Sequence, residues 1–157
     1  MVPLALTALP WMAALCTYDW RSRRLPNWLT IPGAGLIMAA AAFGGYGLSA
    51  LAGGAALAAL YLVTHLVSAR GMGAGDVKLA LGIGALTGTF GSAAWFLSTI
   101  MAPLFTVAAG LLVLRRSEPE SPGVSAVTAA RRIRLPHGPS MCAAAVVAIA
   151  IAVAAGE

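Results

Sequence analysis

The sequence is poor in acid. Its 157 residues hold two aspartates and three glutamates, and charged residues of either sign make up only 10%. A soluble domain of this length needs far more polar surface, so the scarcity excludes one. Histidine and cysteine are equally sparse, two of each. Cys16 and Cys142 stand singly in alanine-rich runs and read as small apolar packing groups, which implies neither a disulfide framework nor a cysteine metal site. G-x-S-x-G and H-E-x-x-H are absent, and no G-K-S or G-K-T follows the glycines at 71, 73 and 75, where an acid stands instead. Serine-nucleophile, zinc-protease and phosphate-cradle chemistry therefore lack their motifs, and no metal or cofactor is implied. No run alternates polar with apolar residues, which leaves out a closed strand barrel.

What the sequence does contain is apolar: 60% hydrophobic residues and a mean hydropathy of +0.88. It reads as an all-α polytopic membrane protein. Crossing a hydrocarbon core about 30 Å thick takes roughly 20 helical residues, and six runs approach that length: 2–18, 28–43, 47–68, 77–91, 92–114 and 138–155. Gly44, Gly45 and Gly47 predict a tight turn between the second and third. Thr87–Ser92, with Gly88 and Gly91, predicts another between the fourth and fifth. The N-terminal run lacks a basic leader and a good cleavage site, so it reads as a retained helix. Residues 1–157 are thus expected to form one membrane-embedded domain with a polar loop at about 115–136.

The ten basic residues fall in three places. Arg21, Arg23 and Arg24 follow the first span; Arg70 and Lys78 flank the link between third and fourth; Arg115, Arg116, Arg131, Arg132 and Arg134 separate fifth from sixth. Six helices threaded in order bring all three segments out on one side and both turns and both termini out on the other. The basic side is expected to be cytoplasmic, in an inner (cytoplasmic) membrane, with both termini outside. Topology then accounts for the net charge of +5 without a nucleic-acid partner; the partner it implies is the lipid bilayer. The loop at 115–136 carries five arginines against two glutamates, a net +3, which favours anionic headgroups.

The acids are placed as selectively as the bases. Glu118, Glu120 and Glu157 lie where water solvates them. Asp19, in "CTYDWRSRRLPNWLT", and Asp76, in "GMGAGDVKLA", lie at span ends on the basic side. A charged aspartate well inside a span costs about 2.5–3.5 kcal/mol on insertion scales, and such residues usually face a protein interior or a water-filled cavity. For Asp19 alone an interfacial ion pair with its neighbouring arginines is an equal explanation. For Asp76 the glycines argue otherwise. Each costs a helix about 1 kcal/mol relative to alanine, so Gly71, Gly73 and Gly75 predict irregular backbone and room for another backbone to lie alongside.

Two carboxylates held together in a poorly solvated site tend to retain one proton between them. The ionised one can then deprotonate a water attacking a carbonyl while the protonated one hydrogen-bonds the carbonyl oxygen. This is aspartic-peptidase chemistry. The competing reading is a non-enzymatic transporter subunit or scaffold using Asp19 and Asp76 as cation or proton sites. A relay, however, wants acids near mid-membrane, and these lie at one face beside glycine-rich backbone.

With these features in hand, the chain resembles the type IV prepilin leader peptidases and the related archaeal preflagellin peptidases. The resemblance rests on "GAGD" at 73–76 continued by "VKL", on Asp19 followed by "RSRRLPN", and on "LPHGPS" at 135–140, similar to that family's Pro-x-Gly-Pro ahead of the last helix. It implies that Asp19 and Asp76 are a catalytic pair near the cytoplasmic face. The substrates it implies are prepilin-like precursors, cut where a short basic leader meets an apolar helix. The longer bacterial enzymes carry an extra portion with paired cysteines and also N-methylate the new terminus; the chain resembles the short form, which implies a peptidase without methyltransferase activity. Gly73, Gly75, Lys78, Pro136, Gly138 and Pro139 are expected to border the substrate groove, although for Lys78 a lysine snorkelling to the interface competes. His65 reads as a helix–helix contact and His137 as a helix-start residue. The sequence leaves the oligomeric state open.

Overall fold

The computed structural model describes residues 2–22, 25–67, 73–116 and 137–156. Regular structure among them is entirely helical: α1 (Val2–Ser22), α2 (Asn27–Phe43), α3 (Gly47–Val67), α4 (Ala74–Gly88), α5 (Ser92–Arg116) and α6 (Gly138–Ala155). All six expected runs are helices. Two helices depart from the hydropathy reading by three residues or more, and both matter for the aspartates. α1 continues a turn past Tyr18, because nothing in "DWRS" breaks a helix even though its polarity ends the apolar run. α4 starts three residues early and ends three early. Gly73 supplies an extended N-cap residue from which the helix can start, and Gly91, at φ 100°, turns the chain into α5 after Gly88.

By length and composition α3, α5 as far as Val113 and α6 can each cross a membrane, and α2 is a shorter apolar helix. At 1.5 Å per residue the 15 residues of α4 rise only about 22 Å. Its surroundings explain how so short a helix is kept. α4 packs on α2, α3, α5 and α6, and almost every residue from Leu79 to Phe90 is buried. A helix apolar on all faces belongs inside a bundle, and protein rather than lipid surrounds this one. The outer helices carry the reverse pattern: Leu36, Phe43, Leu48, Leu66, Phe96 and Val107 are exposed, a large apolar exterior of the kind lipid covers.

The other helices are joined around α4 in the order α3–α2–α1–α6–α5. Trp11 fills the junction of α1, α2 and α4. Its indole N–H donates to the Leu29 carbonyl (2.8 Å), and its ring lies against Gly33 and Gly82. Between α1 and α6 the thiols of Cys16 and Cys142 meet; both are free cysteines, and the two positions that looked isolated in sequence are neighbours in space. α3 and α5 are tied across the front of α4 by side chains. At one end the Trp95 indole donates to the Gly53 carbonyl (2.9 Å). At the other, His137 lies between Tyr61 of α3 and Thr106 of α5. That second end also gathers the C-termini of α1 and α3 and the N-termini of α2, α4 and α6.

Candidate active site

Asp76 occupies the third position of α4, where a carboxylate can turn back on the free N–H groups of the first turn. It does so. Its Oδ2 accepts the Gly73 N–H at 3.1 Å, and its own N–H donates to the Gly73 carbonyl at 3.0 Å. The residue is 9% exposed. Of the glycines expected to break the helix, Gly73 is extended (φ −76°, ψ 146°), whereas Gly75 lies within the first helical turn. Its missing side chain makes room for Leu25, since a Cβ there would come within 3.1 Å of the Leu25 Cβ. Gly75 therefore seats the chain entering α2 rather than leaving that space open. Gly71 lies outside the described residues.

Asp19 ends up equally withdrawn. In the last turn of α1 it is 6% exposed, and its Oδ2 accepts the backbone N–H of Gly138 at 3.0 Å. Gly138 is the first residue of α6 and Pro139 follows within its first turn, where the absent proline N–H costs nothing. The carboxylate thus faces the positive end of a helix 119 residues away in sequence, a placement that favours negative charge. This position is not that of a surface anchor. A Cβ on Gly138 would lie 2.7 Å from Asp19 Oδ2, closer than real contacts allow. Gly138→Ala is therefore expected to turn the Asp19 carboxylate aside while the protein still folds. The carboxyl carbon resonance of Asp19 alongside thermal melting checks this; a folded variant with that resonance unmoved would show that the carboxylate does not need the space beside Gly138.

The two aspartates lie within electrostatic reach of each other, and so do Asp76 and His65 and Asp76 and Tyr61. The bundle thus brings together two carboxylates from α1 and α4, each tethered through one oxygen to a backbone N–H at a helix start. Lys78 points elsewhere: its Nζ donates to Asn27 Oδ1 at 2.7 Å, linking α4 to the start of α2. Pro136 lies outside the described residues. Among the described residues no group of three or more His, Cys, Asp or Glu side chains is placed to hold a metal ion.

Three residues beside the pair were not singled out as a group from sequence. The Tyr61 hydroxyl lies 3.1 Å from His137 Nε2, and Thr106 Oγ1 lies 2.6 Å from His137 Nδ1. His137 does start a helix, as expected, but it also joins two others. Burial pushes its pKa below the ordinary histidine range, which keeps the ring neutral. No local pattern in the sequence joins the three, which stand on α3, on α5 and just ahead of α6.

No curated protein and no solved structure matches the chain significantly. The sequence model of the type IV leader peptidase family does match, over residues 6–114. That stretch takes in both aspartates and α2, α3 and α4 entire, and ends before the Gly138 contact. On this match, and with the two aspartates gathered at one end of a helical membrane bundle, the chain belongs to the type IV leader peptidase family.

Proposed function

We propose that this aspartic protease removes the short basic leader from type IV prepilin-like precursors at the cytoplasmic face of the inner membrane, and that Asp19 and Asp76 are its catalytic pair. The observation that carries the reading is the convergence of these two buried carboxylates, from helices far apart in sequence, inside a family match that contains both. In this reading one water lies between the carboxylates. The ionised aspartate takes its proton as the water oxygen attacks the scissile carbonyl, and the protonated aspartate donates to the carbonyl oxygen. The backbone N–H groups of Gly138 and Gly73 hold the two side chains so that little reorganisation is left for the reaction. Gly73, Gly138 and Pro139 border the substrate; Gly75 and Lys78 act one step back, through Leu25 and Asn27.

The arrangement supports the peptidase over a cation or proton site, because each aspartate is anchored at a helix start on one end of the bundle, with no chain of acids leading away among the described residues. Cleavage without N-methylation is part of the proposal: the paired cysteines of the longer enzymes have no counterpart here, where Cys16 and Cys142 face each other between α1 and α6. Co-expression with a prepilin-like precursor is the test. The expected result is a shortened product whose new N-terminus, read by mass spectrometry, lies at the junction of leader and apolar helix and is unmethylated. An uncut precursor, repeated with a second candidate, would move the transporter or scaffold reading ahead.

The orientation is testable apart from the chemistry. A periplasm-dependent phosphatase reporter is expected to be active when fused to the C-terminus and silent when inserted within 115–136. The opposite pattern would put the aspartates on the wrong side for a cytoplasmic leader.

A further inference from the structure

His137 touches both helices flanking the front of α4, and it immediately precedes the residue that holds Asp19. Its contacts favour one chemical form, the one that makes the most hydrogen bonds. Thr106 Oγ1 lies 3.1 Å from the Ala102 carbonyl as well as 2.6 Å from His137 Nδ1. A hydroxyl has one proton to give. If that proton goes to the Ala102 carbonyl, Thr106 must accept from Nδ1–H, and both contacts are hydrogen bonds; with the proton on Nε2 instead, only one of them can be. Nε2 is then the acceptor for the Tyr61 hydroxyl at 3.1 Å. The result is a directed chain: Tyr61 O–H to His137 Nε2, His137 Nδ1–H to Thr106 Oγ1, and Thr106 O–H to the Ala102 carbonyl. Tyr61 is 5% exposed, and its ring lies 5.7 Å from the imidazole, tilted by 37°, so the bond to Nε2 is sheltered from water.

We propose that His137 is a positioning residue of the cleavage reaction: clasped between Tyr61 and Thr106 as the Nδ1–H form, it fixes the start of α6 so that the Gly138 N–H stays on Asp19 Oδ2. The inference rests on the peptidase reading and deepens it. A residue at a helix start can pivot about the helix axis, and the peptide joining His137 to Gly138 carries the very N–H that Asp19 accepts. Fixing the imidazole at both nitrogens to two different helices removes that pivot. The same clasp ties α3 to α5, so it also sets where Tyr61 stands relative to Asp76, whose charge it feels. One side chain thereby holds the surroundings of both carboxylates.

The test uses full-length protein in nanodiscs. His137→Phe keeps a flat ring and removes both nitrogens; Thr106→Val and Tyr61→Phe each remove one bond; His137→Gln keeps a donor and an acceptor. Two quantities are read: kcat and KM on a precursor peptide spanning leader and apolar helix, and the amide proton shift of Gly138 without substrate, assigned with glycine labelling by its loss in Gly138→Ala. Expected for His137→Phe are a kcat lowered roughly tenfold or more, a KM within about twofold, and a Gly138 amide moved toward its position in Asp19→Ala, which leaves that N–H no carboxylate to meet. Thr106→Val and Tyr61→Phe fall between, their double variant is no worse than His137→Phe, and His137→Gln recovers part of the loss. A merely structural ring would leave kcat and the amide shift of folded His137→Phe at wild-type values, and that outcome overturns the proposal. Should His137→Phe fail to fold, Thr106→Val carries the same two criteria. The amide shift separates the two readings: active wild-type enzyme with an unmoved shift overturns the clasp alone, whereas wild-type protein that cuts no precursor overturns the peptidase reading and the catalytic part of this inference with it.

Discussion

Asp19→Asn and Asp76→Asn are each expected to stop precursor cleavage, by roughly a thousandfold or more, while leaving the fold intact. The structural half of this expectation comes from what asparagine can still do. Each carboxylate is held through one oxygen, Asp19 by the Gly138 N–H and Asp76 by the Gly73 N–H, and the amide oxygen of asparagine accepts the same bond. What it cannot do is hold or take the shared proton. With Asp19 or Asp76 replaced, either the base for water or the donor to the carbonyl is lost, and a unit of this kind fails when one member goes. The double variant should accordingly be no slower than either single one. Wild-type turnover should fall at both pH extremes: when both carboxylates are protonated there is no base, and when both are ionised there is no donor. The check is product formation against time for the four proteins, with melting curves to confirm folding. A single variant that keeps a tenth of wild-type turnover would remove that aspartate from the chemistry.

The parts of this arrangement legible in the sequence are those that depend on local composition. Six apolar runs and three basic clusters announced six helices, because the price of leaving polar groups in lipid is set residue by residue. Asp19 and Asp76 stood out for the same reason, as the only acids at span ends. What escaped notice depends on packing between distant segments. Gly75 reads as a helix breaker in isolation; in the bundle its bare Cα admits Leu25, a contact no local pattern encodes. Lys78 is two residues from Asp76 but is taken up by Asn27, 51 positions away. The bond between Tyr61 and His137 spans 76 positions, and neither residue is unusual where it stands. The "LPHGPS" segment marked a helix start, yet the use made of it, an N–H aimed at Asp19, appears only when α1 and α6 are side by side.

The second large effect is expected far from the aspartates, where α3 and α4 cross at backbone distance. Gly84→Ala should destabilise the protein by about 3 kcal/mol, at the upper end of what overpacking a core does. A Cβ on Gly84 would run into the Gly53 carbonyl oxygen of α3 and come within 2.7 Å of the Leu57 Cβ. The approach is mutual: a Cβ on Gly53 would lie 2.5 Å from the Gly84 carbonyl oxygen, and one on Gly88 would lie 2.7 Å from the Ser49 carbonyl oxygen. Small residues one turn apart let helix backbones close in this way, and in lipid, where burying apolar surface gains little, such close packing is a main source of helix association. A flexible side chain could rotate away from the new methyl, but a carbonyl in a helix cannot, so α3 must move as a body. Tyr61 and His65 travel with it, which predicts loss of cleavage together with loss of stability. Gly35→Ala is the internal control: nothing lies within 4 Å of a Cβ there, and alanine's better helix propensity should leave stability unchanged or raise it by up to about 1 kcal/mol. Combining Gly84→Ala with Leu57→Ala gives no relief of the main clash, because truncating Leu57 past its Cβ leaves the Gly53 carbonyl in place. Unfolding in graded detergent reports all four proteins on one scale. A double variant as stable as wild type would mean that α3 and α4 are held apart by side chains, and that the glycines at their crossing are not what brings Tyr61 and His65 up to Asp76.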